Sequence, residues 1–425
     1  MTLNRRQFLG YLGGSVALAG LPVWRGARAA SAKVVVVGGG FGGATCAKYL
    51  RRYDPDVDIT LVEPSPHYVT CPGSNWVLGG LRRMADITHD YARLEALGIK
   101  IVAARVTGID AEQRRIDLHN GDKLPYDRLV VAPGIDFKWD SIEGYHEQAA
   151  EVFPHAYKAG PQTLLLREQL EAMADGGTVI ISVPGDPIRC PPGPYERASM
   201  IAHYLKANKP KSKLLILDAK DKFSKQGLFQ AGWEARYPGM IEWVPGTQGG
   251  KVDRVEVDTG KVYTQEGLES YRGDVVNIIC PHHAGELAHR ANLTDDSGWC
   301  PIDQMTFEST LLPGIHVIGD ACSAGAMPKS GHSANNHAKM CAAAIIALLN
   351  EQTVPIPSHV NTCYSLVAPD YGISVATVYH LKDGNIQAVE GSGGVSPADA
   401  DANFRQREAV YAQGWYASIV ADSFS

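Results

Sequence analysis

The chain is short of positive charge, of closely paired cysteines and of long apolar runs, and each shortage removes a class of function. Across 425 residues, 46 Asp and Glu outnumber 40 Lys and Arg, giving a formal charge of −6. Such a balance argues against nucleic acid as a partner. The cysteines Cys46, Cys71, Cys190, Cys280, Cys300, Cys322, Cys341 and Cys363 include no Cys-x-x-Cys spacing, which leaves neither a zinc ribbon nor a thioredoxin-type motif. Cys-x-x-Cys-His is also absent, so the chain carries no c-type haem of its own. His332 and His337 read as satisfied polar residues, and no metal site is expected. Past the N-terminal segment, no hydrophobic run reaches the length of a transmembrane helix. No low-complexity segment or short repeat occurs. What is left is a globular composition, 45% hydrophobic and 20% charged, long enough for two or three domains.

The first feature present is a leader. Asn4-Arg5-Arg6-Gln7-Phe8-Leu9 precedes the apolar run Tyr11–Leu21 and the small-residue site Ala27-Arg28-Ala29. A charged start, a core too short to span a bilayer and an A-x-A site make residues 1–29 a signal peptide. Its Arg5-Arg6 pair points to the twin-arginine route and a periplasmic mature protein. The leader carries Arg5, Arg6, Arg25 and Arg28 and no acid, so its removal takes the charge to about −10, which mildly favours a basic or neutral protein partner. In that compartment disulfides persist, and each cysteine needs its own reading.

The stretch Val34–Gly43, V-V-V-V-G-G-G-F-G-G, reads as a buried strand breaking into a phosphate-cradling turn. Gly38, Gly40 and Gly43 fit G-x-G-x-x-G, with a helix expected over Ala44–Tyr53 and its positive end at the turn. A second strand, Ile59–Val62, ends in Glu63, where a ribose hydroxyl would be held. Far downstream, Gly314–Asp320 is an apolar strand ending in Gly-Asp, and Asp320 can hold the ribityl hydroxyls of FAD. The pairing of the two motifs is more specific than either alone. A helix over Ser333–Leu349 follows. Tyr126–Gly134 reads as a further strand ending in a turn.

A second strand-and-turn unit begins at Thr178–Val183, but its turn is filled by Pro184, Pro187, Pro191, Pro192 and Pro194. Proline cannot follow the close turn that cradles a pyrophosphate. This unit is expected to keep the dinucleotide fold without a nucleotide, with a helix from about Tyr195 to Leu205 and a strand over Leu214–Asp218. Cys190 stands where the nucleotide would be, and Glu196 follows it. Cys71 sits on a turn-rich loop after Glu63 from which it could reach the flavin ring. Cys46, Cys280 and Cys341 lie in apolar segments and read as buried thiols, while Cys300 and Cys322 are candidates for a structural disulfide. Near the C-terminus, Ile373–Tyr379 reads as a strand. The aromatic stretch Tyr411–Ile419 is core if buried, or a partner or membrane surface if exposed.

With those residues in hand, the chain closely resembles the flavoprotein subunits of flavocytochrome c sulfide dehydrogenases. The likeness is carried most specifically by Arg189–Arg197 (R-C-P-P-G-P-Y-E-R), Met327–Gly331 (M-P-K-S-G) and Asn361–Ser365 (N-T-C-Y-S). It implies an α/β fold of two Rossmann-like dinucleotide-binding-type domains (three-layer ββα) plus a smaller C-terminal α+β domain. The expected boundaries are 30–144 with 286–355 for the FAD-binding domain, 145–285 for the nucleotide-free domain and 356–425 for an interface domain. The resemblance further implies FAD held by a thioether at Cys71, although Pro72-Gly73 departs from the bulkier residues of the family loop. It also implies a redox-active disulfide between Cys190 and Cys363. On this expectation hydrosulfide attacks the disulfide, leaving a persulfide on one cysteine and a thiolate, Cys363, that hands its electrons to FAD. Glu196 is the candidate for proton handling, or else a helix-terminal glutamate held by the dipole. Electrons then leave singly to a separate c-type cytochrome subunit, dihaem, in a heterodimer. The competing expectations are a sulfide:quinone oxidoreductase and a nicotinamide-dependent flavin reductase, the latter disfavoured by the prolines.

Overall fold

The computed structural model describes residues 31–425; the leader expected over residues 1–29 lies outside them. In chain order the elements that build the site are β1 (Lys33–Val37), α1 (Phe41–Tyr53), β2 (Asp58–Val62), α2 (Ser74–Leu78), β3 (Lys100–Val102), β4 (Arg128–Val131), β5 (Thr178–Val183), α3 (Gly193–Asn208), β6 (Lys213–Asp218), α4 (Gln226–Arg236), β7 (Ile241–Val244), β8 (Val275–Ile278), β9 (Ile315–Val317), α5 (Gly331–Leu349), β10 (Ser358–Ala368), β11 (Tyr371–Lys382), β12 (Asn385–Ala388) and α6 (Ala402–Phe424).

Two parallel sheets carry the molecule. The first has the order β9-β4-β1-β2-β3 and the second β7-β6-β5-β8, every neighbouring pair running parallel. Their inner strands are short apolar runs buried on both faces, as parallel sheets covered by helices require; Val34–Val37 and Val179–Val183 are buried throughout. The central strands β1 and β5 hand the chain to α1 and α3 at the same end of their sheets, where open α/β sheets hold ligands.

Both helices start earlier than the sequence suggests. α1 begins at Phe41, because the Ala44 amide already bonds the Gly40 carbonyl at 2.9 Å. α3 begins at Gly193 with Pro194 in its first turn, a place where the missing N–H of proline costs nothing.

The C-terminal region is an antiparallel sheet, β10-β11-β12, in which Cys363 pairs with Val375 across the long β10–β11 hairpin. Helix α6, opened by the Asp401 carboxylate accepting from the Phe404 amide at 2.7 Å, packs on it. The Tyr411–Ile419 stretch thus divides by helix face: Tyr416 is buried and Tyr411 is 55% exposed. Cys46 on α1 and Cys341 on α5 are fully buried and share a hydrogen bond, and Cys280 is also fully buried.

Candidate active site

A cavity of ≈ 950 Å³ opens at the end of the first sheet, with Gly38, Gly40, Glu63, Cys71, Arg189 and Asp320 in its wall. Two glycines shape its turn. Gly38 has φ +98°, and a Cβ there would stand 2.3 Å from the Ala132 carbonyl oxygen. Gly43 stays outside the wall and lets α1 close on the turn, since a Cβ on it would meet the Gly38 carbonyl oxygen at 1.8 Å. The first amides of α1 are therefore free to face an anion. Glu63 accepts hydrogen bonds from the Gly39 amide at 2.8 Å and the Ser65 amide at 3.0 Å. Asp320 is different: its Oδ1 is buried and has no partner, and burial raises its carboxyl pKa against the pull of Arg189 and Lys329. An orphaned acceptor on the wall of a large cavity is the complement of a polyol chain. The residues present fit FAD.

A second cavity, ≈ 60 Å³, adjoins the first and shares Cys71, Pro72, Arg189 and Gly331 with it. Cys190, Cys363, Glu196, Tyr157, His332 and Trp415 complete much of its lining. Cys190 is held in the left-handed region at φ +51°. Its amide donates to the Lys329 carbonyl at 2.7 Å, while its own carbonyl accepts from the Gly193 amide and the Tyr157 hydroxyl. Cys363 comes from the opposite side, in the middle of β10. The two side chains share a hydrogen bond, as thiols rather than a disulfide. That bond, with burial, pushes the Cys190 thiol up, and the same bond with the nearby Lys225 ammonium brings Cys363 down.

Cys71 lies between the cavities on the loop entering α2, its Sγ 3.7 Å from the Tyr157 carbonyl. The Pro72-Gly73 departure has a packing cause, since a side chain at Gly73 would press on Ile87 and Tyr416 at 3.1 and 3.2 Å. Glu196 is buried in the first turn of α3 with both oxygens engaged: Oε1 accepts from Trp76 Nε1 and the Leu366 amide, and Oε2 from Asn75 Nδ2. It clamps α2, α3 and β10 together around the cysteine pair. The expected Cys300–Cys322 disulfide is not formed. The two are neighbours across a backbone bridge, yet both are free thiols, because Cys322 Sγ turns to the Gly319 carbonyl at 3.2 Å and toward His337.

Comparison with known proteins sharpens this picture. Residues 163–280 match the family model for the sulfide dehydrogenase [flavocytochrome c] flavoprotein chain, central, and residues 355–424 the model for flavocytochrome c sulphide dehydrogenase, flavin-binding. Residues 32–164 match the pyridine nucleotide-disulphide oxidoreductase model. The sulfide dehydrogenase [flavocytochrome c] flavoprotein chain of Chlorobaculum thiosulfatiphilum is 67% identical over 45 residues, 11% of this chain and 94% of that one. The chain belongs to the flavocytochrome c sulfide dehydrogenase flavoprotein family.

This family placement makes it a flavoprotein oxidoreductase and accounts for the wider likenesses. The mitochondrial sulfide:quinone oxidoreductase of Dictyostelium discoideum is 22% identical over 301 residues, 68% of this chain and 65% of the relative. The sulfide-quinone reductase of Aquifex aeolicus is 31% identical over 175 residues, 41% and 39% of the two chains. The chain thus spans less than two thirds of either. In fold it is similar to the solved sulfide:quinone oxidoreductase of Aquifex aeolicus, at TM-score 0.73 and 16% identity, covering 93% of this chain and 92% of that one.

Sequence reasoning missed several residues of this flavoprotein's site. Arg197 is buried and donates to Asn75, Asn277 and the carbonyls of His155 and Ala156, and burial pulls its pKa down to about 10. Its presence in the Arg189–Arg197 motif was a signal. Lys329 also lay in a quoted motif; its ammonium donates to the Asp320 and Cys322 carbonyls at 2.9 Å each. Lys225 gave none: among Lys220, Asp221 and Lys222 it reads as part of a solvated charge run, yet its side chain is buried against β10.

Proposed function

We propose that this chain is the flavin-bearing half of a periplasmic sulfide dehydrogenase, exported by the twin-arginine route and passing electrons to a c-type cytochrome subunit. One observation carries the reading: Cys190 and Cys363 touch inside a chamber that shares a wall with the dinucleotide cavity. The family placement supports it. FAD supplies a two-electron acceptor that can give its electrons up one at a time. Gly38, Gly40, Glu63 and Asp320 would hold it, with Cys71 as the covalent anchor on the shared wall.

The working form of the pair on this reading is a Cys190–Cys363 disulfide, the two-thiol state being its reduced form. Hydrosulfide is small enough for the chamber, and a disulfide sulfur is the electrophile its sulfur needs. Its attack forms a persulfide and releases a thiolate, while Glu196 and its three donors fix the elements on either side. The prolines after β5 deny a nicotinamide nucleotide the turn it would require.

Quinone as acceptor is the second reading, favoured by the fold shared with the Aquifex aeolicus enzyme. Among the described residues no helix is long and apolar enough to cross a membrane. The assay that separates them adds sulfide to the purified holoprotein with its partner and follows flavin absorbance and cytochrome c reduction, with quinone and NADH in parallel arms. Bleaching by sulfide with cytochrome reduction is expected. Flavin that sulfide does not bleach would sink the proposal.

A further inference from the structure

Lys225 is a buried cation with an unusual set of costs. Its side chain is buried, no carboxylate of the described residues lies at ion-pair distance from it, and its backbone sits in the left-handed region at φ +61°, just ahead of α4. Buried unpaired charge and strained non-glycine backbone both favour another arrangement unless the site uses them. The ammonium donates to Ser365 Oγ at 2.9 Å and to the backbone carbonyl of Cys363 at 3.4 Å, so a positive charge is fixed against the Cys363 end of the pair. Glu196, brought into the same cavity wall by α3 directly after the Cys190 loop, faces both sulfurs as Lys225 does, but Lys225 outweighs it at Cys363 and it outweighs Lys225 at Cys190. The charged and titratable groups facing Cys363 are Cys190, Lys225 and Glu196; those facing Lys225 are Cys363, Glu196, Cys190 and Glu408 of α6.

We infer that Lys225 is a positioning cation that makes Cys363 the leaving sulfur of the pair, so that the incoming sulfur is carried on Cys190. The inference rests on the sulfide reading above. The attacking sulfur of HS⁻ bonds to Cys190 Sγ and the Cys190–Cys363 bond breaks. Its electron pair stays on Cys363 as the thiolate, and the proton stays on the new persulfide. With no carboxylate at ion-pair distance, Lys225 is offset by the thiolate that forms at Cys363 when the bond breaks, so it lowers the barrier to that outcome more than to the reverse one. Attack at Cys363 would put the thiolate on Cys190, where Glu196 outweighs Lys225.

The test uses the oxidised holoprotein and two small nucleophiles, sulfide and cyanide. Cyanide cleaves a disulfide to a thiocyanate on the attacked cysteine and a thiolate on the other, so it reads the polarity of the pair without assuming sulfide as substrate. Peptide mass mapping after rapid quench should find the added group on Cys190 and a free thiol at Cys363. In Lys225→Met the preference should collapse toward an even partition and the cleavage rate should fall about threefold, a one-unit change in leaving-group pKa felt through a Brønsted coefficient of about 0.5. Lys225→Arg should restore both, which a merely structural lysine would not require, and flavin content reports that each variant is folded. The group found on Cys363 in the unaltered protein, or an unchanged partition in Lys225→Met, overturns the role of Lys225. Modification by cyanide but not by sulfide sinks the sulfide reading alone and leaves the polarity intact. Failure of both reagents sinks the disulfide and the inference with it.

Discussion

Around the cysteine pair, single side chains do the work of whole interfaces. Glu196 receives hydrogen bonds from α2 and β10 while standing on α3. Truncating it to Ala strands the Trp76 indole N–H and the Leu366 amide in the interior, at about 1.5 kcal/mol each. A destabilisation of about 3 kcal/mol is therefore expected, measured as the denaturant midpoint; a loss under 1 kcal/mol would mean the clamp is not structural. Cys71 is the opposite kind of residue. Among the described residues its thiol makes one long hydrogen bond, to the Tyr157 carbonyl, so Cys71→Ser should fold normally and, on the proposed covalent attachment, release its flavin into the supernatant on acid precipitation. Flavin that stays with the Cys71→Ser pellet would move the anchor elsewhere.

The two strand-to-helix turns show how much one element decides. Both follow a buried parallel strand, and one is built of glycine and the other of proline. At the glycine turn the tolerance is positional. Gly43→Ala drives a methyl into the Gly38 carbonyl oxygen at 1.8 Å, backbone that cannot step aside, whereas at Gly42 the nearest atom is a flexible Ile318 carbon at 3.5 Å. Gly43→Ala should lower the flavin-to-protein absorbance ratio about tenfold or more, while Gly42→Ala, in a helix that prefers alanine, should keep it. Equal flavin content in both would contradict the close-approach argument.

Legibility in the sequence also varied by element. β1 and β5 could be read directly because their apolar runs are buried on both faces. The β10 strand could not, and the reason is physical: its buried face presents His359, Asn361, Cys363 and Ser365, so the usual apolar–polar alternation is inverted. That inversion hides both the strand and Lys225, whose partners lie on it. In the sequence only the family resemblance links Cys190 with Cys363; nothing in their spacing joins a residue on the loop after β5 to one in the middle of β10.

At the scale of the whole molecule, buried histidines set how it meets acid. Burial lowers His316 and His359 to about 4 and His155 to about 3, and the Nε2 atoms of His316 and His359 have no partner. The folded pKa lies below the unfolded value near 6.5, so the unfolded chain takes up protons first as pH falls. The stabilisation is complete above about pH 6.5 and is lost progressively down to about pH 4, by roughly 3 kcal/mol for each histidine shifted that far. Thermal melts should show Tm falling steeply across that window; a Tm that is flat from pH 7 to pH 4 would mean the histidines titrate normally.

On the proposed sulfide reading, the chamber beside the dinucleotide cavity would also act as a size filter. Its ≈ 60 Å³ is about two water molecules' share of liquid volume, and cofactor seated against Cys71 and Arg189 would close the wider approach. A space of that size has room for a single-sulfur anion and not for a whole glutathione. On the sulfide reading, the oxidation state of the pair would then be insulated from the surrounding thiol buffer and would answer to the smallest sulfur nucleophile present.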